Sequence, residues 1–259
     1  MGSGRARLQV ADLAYTYEGR TPTRALDGVS FEVGDDEFLA IVGPVGCGKT
    51  TFVRIVAGFL PPTRGTALCD DRPVAGPSPE RGYVFQEEAI FPWMTVRQNL
   101  EFGLLAKGVP APAREPIVGE LLGLIGLQGY ERAYPAELST GMSKMVEVAR
   151  VLATDPTLLL LDEPFGPLDA QTRARMQEAL HAVWAHRRRT VVLVTHDVEE
   201  ALWLADRIVV FSPRPGRVRA EVRVDLPRPR TLETRLAPAF TALKRAVWRE
   251  LGLGEGSRA

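Results

Sequence analysis

The stretch from Gly43 to Thr50 limits the possible folds of this chain more than any other part of the sequence. It reads GPVGCGKT and matches the phosphate-loop pattern G-x-x-x-x-G-K-[ST]. The apolar run at 38–42 predicts a buried strand before it, and residues 51–59 predict a helix after it. A plain glycine-rich turn is the alternative, but this strand–loop–helix context is what the pattern requires. The sequence therefore predicts a nucleotide-binding α/β protein.

The chemistry of this loop follows from its residue types. Glycines let the backbone wrap closely around phosphates with successive N–H groups pointing inward, and the helix N-terminus adds partial positive charge. Lys49 is expected to reach the β- and γ-phosphates, and the Thr50 hydroxyl to ligate Mg²⁺. The predicted nucleotide-binding residues of this stretch are Gly43, Pro44, Val45, Gly46, Cys47, Gly48, Lys49, Thr50 and Thr51.

Composition excludes several classes of protein. The chain has 259 residues, enough for one large domain or two small ones, and its 32 basic and 32 acidic residues cancel, which gives no argument for nucleic-acid binding. The two cysteines suit a reducing compartment. No apolar run approaches the ~18 residues of a membrane span, and Met1–Arg5 lacks a signal-peptide core. If the protein works at a membrane, we expect a peripheral subunit.

The rest of the chain fits an α/β frame with two additions. Alternating apolar and polar residues over 7–33 predict antiparallel strands with a turn at 18–20. Helical spacing over Val96–Ala106 and Ile117–Ile125, and again after Gly141, predicts a helical insertion at about 87–155. A closing helix is expected over Thr234–Leu251.

Polar residues follow two further predicted strands. Leu158–Leu161 is fully apolar and ends in Asp162 and Glu163, and the run at 191–194 ends in Thr195 and His196. Adjacent carboxylates at a buried strand end are costly without a cation. Asp162 therefore fits Mg²⁺ coordination, and Glu163 fits a base or water-orienting residue. The ends of parallel strands share one edge, where nucleotides bind.

Several other residues have two interpretations that the residues alone do not separate. Tyr17 either packs on neighbouring strand residues or stacks on a nucleotide base. Gln86 follows a short predicted strand and either faces a ligand or caps loop backbone. The apolar cluster Phe91-Pro92-Trp93-Met94 is interpreted as core, with a partner surface as the competitor. Ser139 and Gly141 begin a helix and offer a second phosphate site, but ordinary N-capping by Ser139 is the simpler explanation.

Taken together, the motifs resemble the ATP-binding subunit of an ABC transporter over almost the whole chain. The matching features are the Walker A loop at Gly43–Thr50, the Q-loop residue Gln86, the signature at Leu138–Met142, Walker B at Leu158–Glu163, the D-loop at Leu168-Asp169, the switch residue His196 and the adenine-stacking aromatic Tyr17.

The resemblance implies an architecture. It is a P-loop NTPase fold with a RecA-like parallel core sheet, an N-terminal antiparallel β-subdomain and a helical insertion subdomain. Its ATPase domain would span 7–230, with the helical subdomain at about 87–155 and a C-terminal helical tail at 231–259.

The resemblance also implies an activity. ATP and Mg²⁺ are the expected cofactors, with Glu163, His196 and Gln86 as catalytic residues and Thr50, Gln86 and Asp162 at the metal. Two copies would pair head to tail, so that Ser139 and Gly141 contact the γ-phosphate held by the partner, with Asp169 also at the nucleotide.

The same resemblance implies partners and a location. They are a membrane permease and, indirectly, an extracytoplasmic solute-binding protein, with no nucleic acid. The chain would sit peripherally on the cytoplasmic face of the membrane.

A closer resemblance is to importer ATPases of the nitrate/sulfonate/taurine group. It is carried by the stretches 81–87, 91–96, 162–169 and 225–230. The chain departs from the family at four positions. Thr140 replaces the first signature glycine and is expected to crowd the closed dimer and slow turnover, Val45 replaces a serine, and Ser143 and Lys144 stand where Arg and Gln are common.

Two other functions compete with transport. A soluble ABC-type ATPase acting on another macromolecule usually has two cassettes, a coiled coil or zinc modules, for which this chain lacks heptads and cysteines. A phosphate-loop kinase would leave Ser139, Gly141 and His196 without a role.

Overall fold

The computed structural model describes residues 6–166, 168–186 and 188–252, without the side chain of residue 186. Contacts divide the chain into two units, 1–78 with 190–259, and 79–189. The predicted ATPase domain at 7–230 and C-terminal tail at 231–259 are functional divisions, which this division by contacts does not test, so they stay predictions. No helix in the described part of the chain is long and apolar enough to cross a membrane.

The first unit, 1–78 with 190–259, contains eight of the strands and four of the helices that the structure describes. Its strands are β1 (Ala6–Tyr17), β2 (Thr23–Gly34), β3 (Phe38–Val42), β4 (Arg64–Cys69), β5 (Arg72–Pro73), β8 (Thr190–Thr195), β9 (Arg207–Phe211) and β10 (Val218–Arg223). Its helices are α1 (Lys49–Ala57), α6 (Val198–Leu204), α7 (Leu232–Leu236) and α8 (Pro238–Glu250).

An antiparallel sheet in the order β2-β1-β4-β5 forms one layer of this unit. It confirms the antiparallel pair predicted from the alternation over 7–33, with β1 and β2 joined by a turn at 18–22. Leu8, Leu13 and Val29 are fully buried, as expected for apolar positions of a half-buried strand pair. Leu8 and Leu13 are five residues apart, and the β1–β2 pairing shifts register between Val10 and Leu13. This irregularity, rather than strict alternation, brings Leu13 to the buried face.

The strands β10-β9-β3-β8 form the second layer and position the phosphate loop. β3 runs parallel to both β8 and β9, and every residue of β3 and β8 is buried, as their continuous apolar runs predict. Phe52 of α1 packs on Phe31 and Phe211, with ring centroids 5.3 and 5.9 Å apart. These contacts fix the helix that follows the loop.

The second unit, 79–189, combines two parallel strands with a helical core. Strands β6 (Arg81–Val84) and β7 (Leu158–Asp162) pair in parallel, and a single 3-10 turn spans Pro135–Glu137. The helices are α2 (Val96–Ala106), α3 (Ala111–Leu124), α4 (Thr140–Ala153) and α5 (Ala170–His186). Buried apolar residues of α2, α3 and α4 pack together, among them Leu100, Leu122 and Val146.

Two of the helices differ from the prediction at prolines. Helix α3 begins at Ala111 rather than Ile117, because Pro112 lies in its first turn, where no backbone N–H is needed. The single closing helix predicted over Thr234–Leu251 is instead α7 and α8, separated at Ala237, whose ψ is 143°. Pro238 disfavours the helical conformation for the residue before it, and Ala237 adopts the extended one.

Asn99 of α2 is fully buried and holds the loop before that helix. Its amide nitrogen donates to the carbonyls of Phe91, Met94 and Thr95, each at 3.1 Å, and its carbonyl oxygen accepts from the Phe91 N–H at 2.9 Å. This one buried side chain therefore bonds to four backbone groups of residues 91–95.

Replacing Asn99 with alanine should lower the free energy of unfolding by about 1–3 kcal/mol, because it orphans several backbone groups. Denaturant unfolding measures the change. Leu105→Ala on the same helix, where the side chain is 53% exposed, is the control and should change stability by less than ~0.5 kcal/mol. Equal stability of Asn99→Ala and the wild type would contradict this role.

Candidate functional site

The phosphate loop lies between β3 and α1, and its backbone leaves the cradle open. Gly46 and Gly48 have φ values of 76° and 105°, in the left-handed region. A Cβ at Gly48 would lie 2.7 Å from the carbonyl oxygen of Ala25. Only glycine therefore permits this loop conformation.

Lys49 begins α1 and is folded back over the loop. It is only 4% exposed, and its ammonium donates to the carbonyls of Gly43 at 2.9 Å and Pro44 at 3.2 Å. The first turn of α1 contains no acidic residue, so nothing there neutralises the positive end of the helix. Backbone amides, an ammonium and a helix N-terminus together form a receptor for phosphate.

The other predicted residues of the loop differ in exposure. Cys47 is buried, and a Cβ at Gly43 would lie 2.7 Å from its Sγ, so its thiol packs inside the loop. Pro44 and Val45 are exposed, Thr50 is half-buried and Thr51 is buried.

Tyr17 is tied to the helix that follows the loop. Its hydroxyl and that of Thr51 are 3.0 Å apart, and its ring meets Tyr15 edge-on at 4.8 Å. The ring remains 40% exposed. Tyr17 therefore both packs on a strand neighbour and keeps an accessible ring face close to the start of α1.

The strand register in the first unit brings His196 to the same sheet edge as the loop. Val42, the last residue of β3, pairs with Thr195, the last residue of β8, so Gly43 and His196 follow neighbouring strand ends. His196 is exposed, and Asp197 after it caps α6 by accepting from the N–H groups of Glu199 and Glu200. The prediction that these two strand ends share an edge is confirmed.

In the second unit the same arrangement joins Gln86 to the acidic residues. Val84 pairs with Leu161, so the segment 85–86 and Asp162 lie at adjacent strand ends. Asp162 is 1% exposed, and its Oδ2 accepts a 2.7 Å hydrogen bond from the Tyr83 hydroxyl. Gln86 is exposed.

Glu163 has a backbone conformation that is unusual for its residue type. Its φ is 45°, whereas the other non-glycine residues with positive φ in the described chain are all aspartates, which tolerate that region better. Its side chain is half-buried. Such strain commonly persists at functional sites.

The signature residues and Asp169 lie together in the second unit. Ser139 caps α4 by accepting from the Met142 N–H at 3.3 Å, and both it and Thr140 are exposed. Gly141 is buried, and a Cβ there would lie 2.5 Å from Cγ2 of Thr172. The hydroxyl and N–H of Thr172 donate to Asp169, which lowers the pKa of that carboxyl.

Each unit offers groups of the kind that ATP or Mg²⁺ needs. In the first unit the loop supplies N–H donors and a lysine for phosphate, and Thr50 supplies a hydroxyl. In the second unit Asp162 supplies a buried carboxylate. Hydroxyl and carboxylate oxygens are hard ligands of the kind Mg²⁺ prefers.

The structure adds two residues that sequence reasoning missed. The Tyr83 hydroxyl orients Asp162, and Arg214 donates from Nε to the Gly46 carbonyl at 3.2 Å. Tyr83 lies three residues before Gln86, but nothing in the pattern says which carboxylate it contacts. Arg214 stands in a Pro/Arg-rich stretch far along the chain and carries no local signal.

Gly48→Ala should destabilise the fold by about 1–3 kcal/mol and abolish nucleotide binding, since the added methyl meets the Ala25 carbonyl at a φ closed to alanine. Unfolding and titration with a fluorescent nucleotide measure both effects. Gly76→Ala is the control, because a Cβ there meets nothing within 4 Å. Wild-type nucleotide affinity in Gly48→Ala would show that the loop does not need this conformation.

Comparison with known proteins places the chain in a family. A family model described as ABC transporter matches residues 26–166. A Brucella abortus protein named only as an ATP-binding protein is 49% identical over 86% of both chains. A taurine import ATP-binding protein of Roseobacter denitrificans is 46% identical, covering 78% of this chain and 75% of its own. A nitrate import ATP-binding protein of Synechocystis sp. is 42% identical over 90% of both chains.

Solved structures agree with the sequence comparison. A dimeric ATP-binding cassette in a post-hydrolysis state, bound to ADP and Pi, has a TM-score of 0.73 and 28% identity, covering 84% of this chain and 98% of its own. The shared fold is the P-loop α/β cassette, with an antiparallel N-terminal sheet and a mixed core sheet. The chain therefore belongs to the ABC transporter family, in which it is an ATP-hydrolysing cassette.

Proposed function

We propose that this chain is the ATPase subunit of an importer for a small solute, possessing one half of each of two ATP sites in a homodimer. The observation that carries the proposal is the pairing of one lysine-bearing phosphate loop with a second exposed helix N-terminus at Ser139. A kinase has no use for the second element. In a homodimer this helix N-terminus has a role, because Ser139 and Gly141 of each copy complete the nucleotide site of the other copy.

The proposed roles within one chain follow the chemistry of each group. Lys49 and the loop amides bind the phosphates, and Tyr17 stacks on the base. Thr50, Asp162 and Gln86 would hold Mg²⁺, which would supply positive charge beside the phosphates. Tyr83 supports this by orienting the Asp162 carboxylate.

Hydrolysis itself is proposed to rest on positioning and charge. Glu163 orients and deprotonates the attacking water, and His196 stabilises the charge that develops on the γ-phosphate. Asp169, just before α5, is proposed to face the partner and to lie at the nucleotide. Mutual positioning of these groups, rather than covalent chemistry, supplies the rate.

Dimerisation has support from relatives. The similar solved cassette is dimeric with ADP and Pi bound. In this chain Ser139 and Thr140 are exposed at the start of α4, where a partner's nucleotide can reach them. The Thr140 side chain projects from that surface, and we propose that it slows closure.

An exposed aromatic patch supports a permease partner. Phe91 and Trp93 stack at 5.5 Å, Phe91 also meets Phe102 at 4.7 Å, and Trp93 is 69% exposed. None of residues 91–94 is buried, and Pro92 and Trp93 are exposed, so the interpretation of this cluster as core is wrong. Because Asn99 fixes the loop, the patch is preorganised to receive an apolar segment of a permease. An extracytoplasmic solute-binding protein is proposed as an indirect partner, which contacts the permease on the other side of the membrane.

The solute class comes from named relatives. Import proteins for taurine, a sulfonate, and for nitrate are more than 40% identical to this chain over most of its length. We propose a small anion such as nitrate, a sulfonate or taurine as cargo, with the subunit peripheral on the cytoplasmic face and without nucleic acid as a partner. A soluble ABC-type ATPase working on another macromolecule is the alternative.

Glu163→Gln should reduce ATP turnover by about 10²-fold or more while leaving ATP affinity near wild type, because the amide cannot accept the water's proton. Steady-state hydrolysis and nucleotide titration separate the two effects. Glu178→Gln, at an exposed position on α5, is the matched control. A turnover rate near wild type in Glu163→Gln would remove Glu163 from its proposed role.

Trp93→Asp tests the transport assignment. It should leave hydrolysis by the isolated chain unchanged but cost about 2 kcal/mol or more in binding to a co-expressed permease, as expected for an aromatic anchor. Retention of the chain in the detergent-solubilised complex is the measurement, with Leu236→Asp, another exposed apolar position, as control. Equal retention of both variants would show that Trp93 is not the anchor, whereas a wild-type chain that is not retained would argue for the soluble alternative.

A further inference from the structure

We propose that Lys144 and Glu147 are positioning residues that tie the backbone on both sides of Gln86 to the signature helix. They form a buried ion pair on α4, with Lys144 Nζ 2.9 Å from Glu147 Oε2 and side chains only 3% and 1% exposed. The inference rests on the proposed roles of Gln86 and Ser139, and it concerns how the two are connected.

The lysine holds carbonyl groups on either side of Gln86. Its ammonium donates to the Phe85 carbonyl at 2.9 Å and to the Glu87 carbonyl at 3.4 Å. With the bond to Glu147, all three donors of the ammonium have acceptors. The residue flanked by these two carbonyls is Gln86.

The glutamate holds amide groups of the same segment. Its Oε1 accepts from the Phe85 N–H at 3.2 Å, and its Oε2 accepts from the Ala89 N–H at 3.4 Å. Two side chains of one helix thus hydrogen-bond to both the N–H and the carbonyl of Phe85. Residue 144 must therefore donate and residue 147 must accept.

Arg150 continues the same face of α4 one turn further on. Its guanidinium donates to the Ala89 carbonyl at 2.8 Å and lies 4.5 Å from the centre of the Phe91 ring. Residues 144, 147 and 150 are three apart, so they face one side of the helix. Together they hold residues 85–91 from the strand end to the aromatic patch.

Stability alone does not explain a buried ion pair at this place. Apolar residues of similar volume are often neutral or stabilising when they replace such a pair, because desolvating two charges is costly. The pair instead fixes the position of a loop that apolar side chains could not hydrogen-bond. A displacement of Gln86 on nucleotide binding is therefore passed to α4, whose first turn begins at Ser139.

The test compares two double variants in the full-length chain. Lys144→Met with Glu147→Leu removes every bond that residues 144 and 147 make to the loop, keeps the Arg150 bond to Ala89, and leaves neither member of the ion pair as an unpaired buried charge. Lys144→Gln with Glu147→Gln removes the charge but retains donors and acceptors. Arg97→Met with Glu115→Leu, which removes an exposed ion pair in the same unit, is the control.

We expect the apolar pair to fold, to exchange the amide hydrogens of Phe85 and Ala89 faster, and to lose kcat on the order of 10- to 100-fold with little change in nucleotide affinity. The amide pair should recover most of the kcat. In a Gln86→Ala background the apolar pair should cause no further loss, because it acts through Gln86.

Wild-type kcat in the apolar pair, or an undiminished further loss in the Gln86→Ala background, would overturn the inference. If the apolar pair does not fold, Lys144→Gln with Glu147→Ala decides, since it removes the acceptor for Phe85; faster exchange with wild-type kcat then overturns it. A wild-type chain that hydrolyses no ATP would contradict the proposed function rather than this inference. In that case, unchanged amide hydrogen exchange at Phe85 and Ala89 in the apolar pair would still show that the ion pair does not hold the loop.

Discussion

The rest of the site depends on a loop whose backbone can face a phosphate with no side chain in the way. Gly48 at φ 105° allows this at the first turn of α1, and Lys49 is folded back against the carbonyls of Gly43 and Pro44. Flanking strands and the packed Phe52 ring keep the loop in place. A receptor of this kind is formed before ligand arrives, so little ordering is needed on binding.

Within each unit, strand register positions the other polar groups. In each unit, two parallel strands end side by side, which sets His196 beside the loop and the segment 85–86 beside Asp162. Register has a period of two residues, so a one-residue shift would turn these side chains away. The register of the continuous apolar strands thus sets the direction of the polar side chains that follow them.

Features set by neighbouring residues could be predicted from the sequence, whereas contacts between distant residues could not. The loop, Asp162, Glu163 and His196 could be found because local pattern marks strand ends and glycine-rich turns. The break at Ala237 could have been found, since Pro238 is its local cause. The bonds of Tyr83, Arg214 and Lys144 could not, because their partners are set by tertiary packing.

The substituted signature shows why a departure from a family pattern need not weaken a site. In the sequence alone, Lys144 is a lysine at a position where the family commonly has Gln. With Glu147 one turn later it becomes half of a network in which every donor of the ammonium is satisfied. A buried charge is tolerated when its partner and its backbone bonds are all present. The two positions must therefore change together, and a substitution at either one alone leaves an uncompensated charge beside Gln86.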